Sequence, residues 1–512
     1  MDRSNTPDRK ITDMKEKRRL EIDPIRVAPP RLDPYRRRLA RFYEPLFLLR
    51  ALGQTRGEHT PQPTSFDAPM EIRRRFLQNL AYVCDFKKGG ETCTAIGLES
   101  RQTRYLFWVA SNAMVEKIVS FLNEALDVLM GTNSQPDLDL AATESAFIQL
   151  CADFAIFRID LERKNFQREA MNCISRLTEK SPKPAQELVK WLHIAVNHSH
   201  NIELCNFAYE NRNSIYIDQL AAMALQEENK LDPAGRRSCF SSARHDILAL
   251  ARHIRAPKEL VEDSSHLGHI LQTYDVFGID PFPSVPGPVR DLHTNLRGIL
   301  KRMYRTPGEE KETVEQGLLY LNKISGSLIF EHFMKQYEQP GPQVHAEVQV
   351  LEHFYQKNLT FADGDQFIAC SKPACLCCEL YFKHHPARMV LPSSHRKVWT
   401  RWSPPALKAF IKNDMATREQ IQIMSKITQE LRDQIIDQVL RRSQASRWHP
   451  DSMTCITEMP SVSSFNSLDE QDICENAYSE SVADPLESPE TGERGGLDQE
   501  IDSEDGGVSI HV

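Results

Sequence analysis

Apolar residues recur at helical spacing from about residue 70 onward. In MEIRRRFLQNLAYVC, Ile72, Phe76, Leu77, Leu80 and Val83 share one face, which predicts a helix, and Lys87-Lys88-Gly89-Gly90 stops it. The pattern then changes. TCTAIGLES (92–100) and YLFWVASN (105–112) are rich in β-branched and aromatic residues and are joined by the polar RQTR, which predicts an antiparallel hairpin. From 113 to 339 helical spacing returns, in segments such as AMVEKIVSFLNEALDVLM and AQELVKWLHIAVNHSH. Breakers at Ser181-Pro182, Asp232-Pro233 and FGIDPFPSVPGP (277–288) divide this stretch, and no fixed repeat runs through it. The expectation is an all-helical block.

The segment 340–412 is organised differently. Pro340-Gly341-Pro342 breaks the chain, and HAEVQVLEHFYQ (345–356) follows as a helix offering Val348, Val350, Leu351 and Phe354 to a core. FIAC (367–370) has the wholly apolar character of a buried strand. CLCCELYFKHH (375–385) reads as a helix closed by Pro386, and RMVLP (388–392) as a second short strand, giving a small βαβ unit. Within 413–448, Met424, Ile427, Leu431, Ile435 and Val439 form one stripe of an amphipathic helix, with Thr417 and Gln420 as a capping box. That stripe is expected to pack on the domain rather than bind a partner.

Charge divides the chain into three. Residues 1–57 carry 15 Lys and Arg against 8 Asp and Glu, whereas 451–512 carry one Arg against 16 acidic residues; the overall charge of −8 leaves a neutral middle. A neutral body makes no global case for nucleic-acid binding. Residues 1–64, Arg- and Pro-rich with little periodicity, read as a largely disordered basic arm with a short helix at 35–51. Lys15, Lys17, Arg18 and Arg19 read either as a nuclear-import patch or as part of a solvated arm. Residues 449–512 read as a disordered acidic tail. The charged opening is no secretory signal and no run of about 18 apolar residues occurs, so the expectation is an intracellular protein, cytoplasmic or nuclear, without membrane contact.

Twelve cysteines in a chain read as intracellular do not suggest a disulfide scaffold. Four of them, Cys370, Cys375, Cys377 and Cys378, fall within nine residues and call for a metal or catalytic explanation. His345-Ala346-Glu347 is the only H-x-E in the chain, and Cys375–Cys378 the only C-x-x-C, in that order. This is the pattern of zinc-dependent base deaminases. One imidazole and two thiolates leave a fourth tetrahedral position open, the catalytic rather than the structural arrangement. Cys375 and Cys378, three apart, share a helix face, and a helix N-terminus favours thiolate over thiol. Glu347 would then move protons without binding the metal. Other readings stay open. Cys370, Cys377, His384 and His385 offer ligands for a closed structural site, and a small buried core residue is the plain reading of Cys370.

HAEVQVLEHFY, FIACSKPACLCCELYFKHHP and SSHRKVWTRWSPP together closely resemble the Orientia-type (OTT) deaminase-like family, abundant in filamentous fungi. The resemblance is clear over about 340–405, and the stretch from GGETCTAIGLES to YLFWVASN looks like the family's opening hairpin. It implies an α/β fold of the cytidine deaminase-like kind, a mixed sheet flanked by helices. The domain would then be discontinuous, 65–112 and 340–412, with 113–339 as a helical insertion. It implies His345, Cys375 and Cys378 as ligands of Zn²⁺ and Glu347 as the proton shuttle. Asn112 sits where many deaminases place a substrate-contacting Asn, though it also suits a strand-end turn. His395, Trp399 and Trp402 are available to line a base pocket or to pack at the domain edge. Ala374 stands before the first Cys, with Pro373 one earlier, where the usual pattern has Pro-Cys.

The expected function is a zinc-dependent hydrolytic deaminase of a cytosine or adenine base, its substrate a nucleotide or a nucleic acid. The competing expectations are a catalytically silent, zinc-stabilised scaffold that binds protein partners through its helical insertion and tails, and a nucleic-acid binder using the basic arm.

Overall fold

The computed structural model describes residues 34–443, apart from 65–66, 135–139, 181–183, 229–237, 292, 305–308, 326–327 and 412. Residues 1–33, with the basic cluster at 15–19, and the acidic tail lie outside the described residues.

The hydrophobic pattern produces the hairpin as expected. Strands β1 (Thr94–Ser100) and β2 (Tyr105–Ser111) pair antiparallel, Gly97 opposite Trp108. Two more strands complete a mixed sheet in the order β3-β2-β1-β4. One is β3 (Tyr274–Gly278), parallel to β2; the other is β4 (Ile368–Cys370), antiparallel to β1 with Ala95 opposite Cys370. β3 corrects the all-helical expectation for 113–339. YDVFG is too short to stand out between helical segments, and only the free edge of β2 makes it a strand. RMVLP (388–392) is not a strand: Val390 donates a backbone hydrogen bond to the Gln366 carbonyl, but Arg388 has a left-handed backbone (φ 52°) and no ladder forms.

β1 has neighbours on both sides and is buried over its first six residues. Its faces differ by design of sequence: Ile96 and Leu98 enter the core with α2 (Ala68–Cys84) and α3 (Val115–Ser134), while Ala95 faces the opposite core. On that opposite side lies α6 (Ala346–Lys357), whose Val348, Val350, Leu351 and Phe354 are buried as the spacing predicts. Gly97 permits this approach. A Cβ there would stand 2.6 Å from Phe354 and 2.8 Å from Val350, inside van der Waals contact.

The described helices between β2 and β3 include α4 (Ile156–Lys180) and α5 (Cys239–His266), which pack together around a separate apolar cluster that includes Phe166, Leu192 and Leu250. They are tied to the strand layer by buried charge. Arg158 donates to the Asp85 carbonyl (2.7 Å) and to Glu162 (3.1 Å), and Glu162 also meets Lys88 (3.1 Å) and His253 (2.9 Å). Breaking such a network costs more than making it gains, so it fixes how the pieces meet.

After α6 and β4, α7 (Leu376–His384) ends before Pro386, and α8 (Met415–Leu440) follows. Ile427, Leu431, Ile435 and Val439 are fully buried on the domain. The start of α8 differs from the expected capping box: Asp414 is the cap and accepts the Thr417 N–H at 3.2 Å. α8 packs on α1 (Pro34–Leu52), and α1 revises the reading of the arm. Leu39, Phe42, Tyr43, Leu46 and Phe47 lie in the same core as α6 and α7. The helix expected at 35–51 forms; what its Arg- and Pro-rich surroundings did not show is that it belongs to the core, with a partner almost 400 residues away. Among the described residues, no helix is long and apolar enough to cross a membrane.

Candidate metal centre and its cavity

His345 and Cys375 occupy the N-cap positions of α6 and α7, with β-region backbone at both. Neither side chain makes a cap hydrogen bond. An N-cap is ordinarily Ser, Asp or Asn because the first helical N–H groups need acceptors. Here both acceptors come from elsewhere: Asn112 Oδ1 accepts the Ala346 N–H (3.0 Å), and the Lys397 carbonyl accepts the Leu376 N–H (3.1 Å). The two side chains are thereby left to face each other.

His345 Nδ1 lies 3.7 Å from Cys375 Sγ and 3.4 Å from Cys378 Sγ, and the two sulfurs are 3.5 Å apart. Among the described residues these three form a group able to hold a metal ion, every ligand atom within 4.8 Å of the others. The alternative ligands are engaged elsewhere. His384 pairs with Glu430 (2.5 Å), His385 with Glu352 (3.3 Å), and the Cys370 sulfur lies 3.7 Å from Cys93. Cys377 is fully buried, and burial, with the Cys375 charge adding to it, pushes its thiol up. Nothing among the described residues assembles a fourth Cys or His into the group.

The electrostatics suit thiolate. Burial alone would keep the Cys375 thiol protonated, but its contact with Cys378 and the charge of His345 bring it down to about 6. Burial likewise opposes a charged His345, and the Cys375 sulfur overrides it, raising the imidazole to about 9. Burial and the neighbouring Cys375 push the Cys378 thiol up. Glu347, buried in the first turn of α6, is near enough for its charge to act on His345 and both thiols. Two soft sulfurs and one imidazole nitrogen, each from a helix start, are a donor set that fits a borderline-soft divalent ion.

The segment 393–403 straps the two helix starts together. Ala374 donates to the Ser393 carbonyl (2.7 Å), His395 to the Ala374 carbonyl (3.0 Å) and Gln343 to the Arg401 carbonyl (2.7 Å). This accounts for Ala374 where the usual pattern has Pro. Its N–H is used, and Pro has none to give.

Residues 344–406 match the OTT_1508-like deaminase family. The match spans His345, Glu347, Cys375, Cys378 and the strap, and it stops short of the other three strands, β1, β2 and β3. No curated protein and no solved structure matches the chain.

The metal group opens on a cavity of about 1210 Å³, lined by His345, Glu347 and Cys375 on one side. Asn112, His395 and Trp399 also line it. His395 is buried: its Nδ1 accepts the Lys397 N–H (3.1 Å), and Trp399 approaches its Nε2 at 3.5 Å. Asn112 is held at both ends of its amide, by Ala346 N–H and, through Nδ2, by the Gly90 carbonyl (2.8 Å). Trp402 takes the packing role of the two it was open to. Its ring is fully buried against Phe42 and Tyr381, outside the cavity lining, so no base can stack on it. Its Nε1–H instead donates to Cys378 Sγ at 3.1 Å.

Sequence reasoning missed the opposite wall. Asn165 and Arg168 of α4 and Ser242, His245 and Asp246 of α5 line the same cavity, as do Cys93 and Lys372 nearer the metal group. Nothing local marks these residues. They become neighbours of His345 only because α4 and α5 fold back over the strand layer.

Proposed function

We propose that the chain is a zinc-dependent hydrolytic deaminase acting on a cytosine or adenine base of a nucleotide or nucleic acid. The observation that carries this reading is the convergence of His345, Cys375 and Cys378 within 4.8 Å at the wall of a cavity that Glu347 also lines. The family match over 344–406 supports it. The catalytic unit in this reading is discontinuous, 65–112 with 340–412, and the intervening helices supply the far wall.

His345 Nδ1 and the two sulfurs would hold Zn²⁺, which supplies Lewis acidity for hydrolysis at an amino-bearing ring carbon. Glu347, which lines the cavity, would accept a proton from the attacking water and return it to the departing amine. Asn112 and the Lys397 carbonyl keep the two helix starts, and therefore the three ligands, in place. His395 and Trp399 offer edges and a ring face to a base, and the polar residues of α4 and α5 offer hydrogen bonds to whatever the base is attached to. The cavity is larger than the usual range of about 300–1,000 Å³ for a small-molecule site, which leaves room for a sugar and phosphates.

Elemental analysis joined to an ammonia-release screen tests this. Wild type and Glu347→Ala are expected to hold one zinc and Cys375→Ser none; wild type alone is expected to release ammonia from a cytosine or adenine nucleotide or oligonucleotide. An active Glu347→Ala protein would overturn the mechanism. Zinc with no activity on any of these substrates would favour the silent scaffold.

A further inference from the structure

Of the ten described cysteines, Cys93 is the one that is not buried. It lines the cavity, and its Sγ lies 3.7 Å from Cys370 Sγ. The sheet sets this contact. Ala95 stands opposite Cys370, and the Ser371 N–H donates to the Thr94 carbonyl (2.9 Å), so Cys93 falls on the diagonal from Cys370 just beyond the end of β1. Ser371 Oγ–H also donates to Cys93 Sγ at 3.5 Å. Neither sulfur belongs to the metal group.

We propose that Cys93 and Cys370 are a peroxide-reactive thiol pair in the cavity wall, Cys93 the attacking sulfur and Cys370 the resolving one. Cys93 is the sulfur a small oxidant entering the cavity can reach, and Cys370, buried behind it, is close enough to answer. The electrostatics run the same way. The hydrogen bond with Cys370 holds the Cys93 thiol below its ordinary value against burial, with Lys372 assisting, and the same bond together with burial pushes the Cys370 thiol up.

The chemistry closes on itself with a hydroperoxide, ROOH, as oxidant. The Cys93 thiolate attacks the terminal hydroxyl oxygen of the peroxide, the O–O bond breaks, and the leaving alkoxide takes up the proton that the Cys93 thiol gave up, to become ROH. Cys93 is now a sulfenic acid. The Cys370 thiol attacks that sulfur, the S–O bond breaks, an S–S bond forms, and hydroxide leaves with the thiol proton as water. Two thiols are oxidised and one peroxide is reduced. The sulfurs must close to about 2.05 Å. The movement is coupled to the metal group through the backbone, because the Cys93 carbonyl accepts the Asn112 N–H (3.3 Å) and Asn112 caps α6. The pairing itself does not depend on the deaminase reading.

The test treats full-length, zinc-loaded protein with hydrogen peroxide, blocks free thiols and maps peptides without reduction. The expected result is a Cys93–Cys370 linked peptide that dithiothreitol separates, with zinc retained. In Cys370→Ser, Cys93 is expected to be trapped as a sulfenic acid labelled by dimedone; in Cys93→Ser, Cys370 is expected to stay reduced. Cys455 and Cys474, outside the described residues, are read separately by the mapping. The proposal is overturned if Cys93 stays reduced while other cysteines oxidise, or if it joins any partner but Cys370. A Cys375–Cys378 disulfide with zinc loss, and none at Cys93, also overturns it. Absence of zinc from the untreated wild type would instead count against the metal reading alone.

Discussion

The indole of Trp402 donates its N–H to the sulfur of Cys378 at 3.1 Å, inside a core that admits no solvent to either group. A buried indole N–H needs an acceptor, and the Cys378 sulfur supplies it. With a metal bound and Cys378 deprotonated, the bond would stabilise the thiolate and withdraw some of the charge that the metal would otherwise receive. α1 holds the ring in place, with Tyr43 donating to the Trp402 carbonyl (3.1 Å) and Phe42 meeting the ring in a T-shaped contact.

Trp402→Phe keeps a buried ring and removes only the donor. It is expected to weaken zinc binding roughly tenfold near neutral pH, because the bond also favours the Cys378 thiolate over its thiol and holds the sulfur in position, which outweighs the gain in sulfur donation. In the cobalt-substituted protein it should move the sulfur-to-metal charge-transfer band to longer wavelength. Competition with a chromophoric chelator and the cobalt spectrum check this, and an unchanged band would show that the N–H does not tune Cys378.

Asn112 serves α6 as a cap supplied from a strand end. Asn112→Ala is expected to cost about 1–2 kcal/mol, the ordinary worth of a cap, measured by urea denaturation. Asn112→Asp retains the acceptor for Ala346 and loses only the donor to Gly90, so its loss should be clearly smaller. Equal losses would mean that the Gly90 bond, and not the cap, matters.

Gly97 is required by the packing of α6 on β1. Gly97→Ala places a methyl group against Phe354 and Val350 and is expected to destabilise the fold by about 1–3 kcal/mol through overpacking. A double variant with Val350→Ala should recover part of that loss in the same denaturation experiment. No recovery would place the strain elsewhere.

Burial pushes Asp246 up to about 6, above the ordinary carboxylate value. Between about pH 4 and pH 6 the folded chain keeps this proton after the unfolded chain has released it, so the contribution of Asp246 to stability falls as pH rises through that window. Above about pH 6 the full cost is present. Asp246→Asn is therefore expected to exceed wild type by an amount on the order of 2 kcal/mol near pH 7.5, with the difference shrinking toward pH 4. Denaturation at the two pH values checks the sign, and a pH-independent difference would contradict it.

The metal group was legible in the sequence because its information is local. His345 and Glu347 are two apart, Cys375 and Cys378 three apart, and the start of one helix keeps each pair close together whatever the rest of the chain does. The same holds for β1 and β2, whose pairing needs only a short polar connection, and for the stripe on α8. Tertiary structure decided what lies at long range. Asn112 finds Ala346 across more than 200 residues, Trp402 turns its N–H to Cys378 instead of opening its face to the cavity, and α1 enters the core despite an Arg-rich start. β3 becomes a strand because β2 offers it an edge, and α4 and α5 become a cavity wall because buried Glu162, Arg158 and Asp85 fix how they dock. Spacing along the chain determines which side chains share a turn; only packing determines which turn meets which, because that choice is made by buried area and paired charge summed over the whole fold.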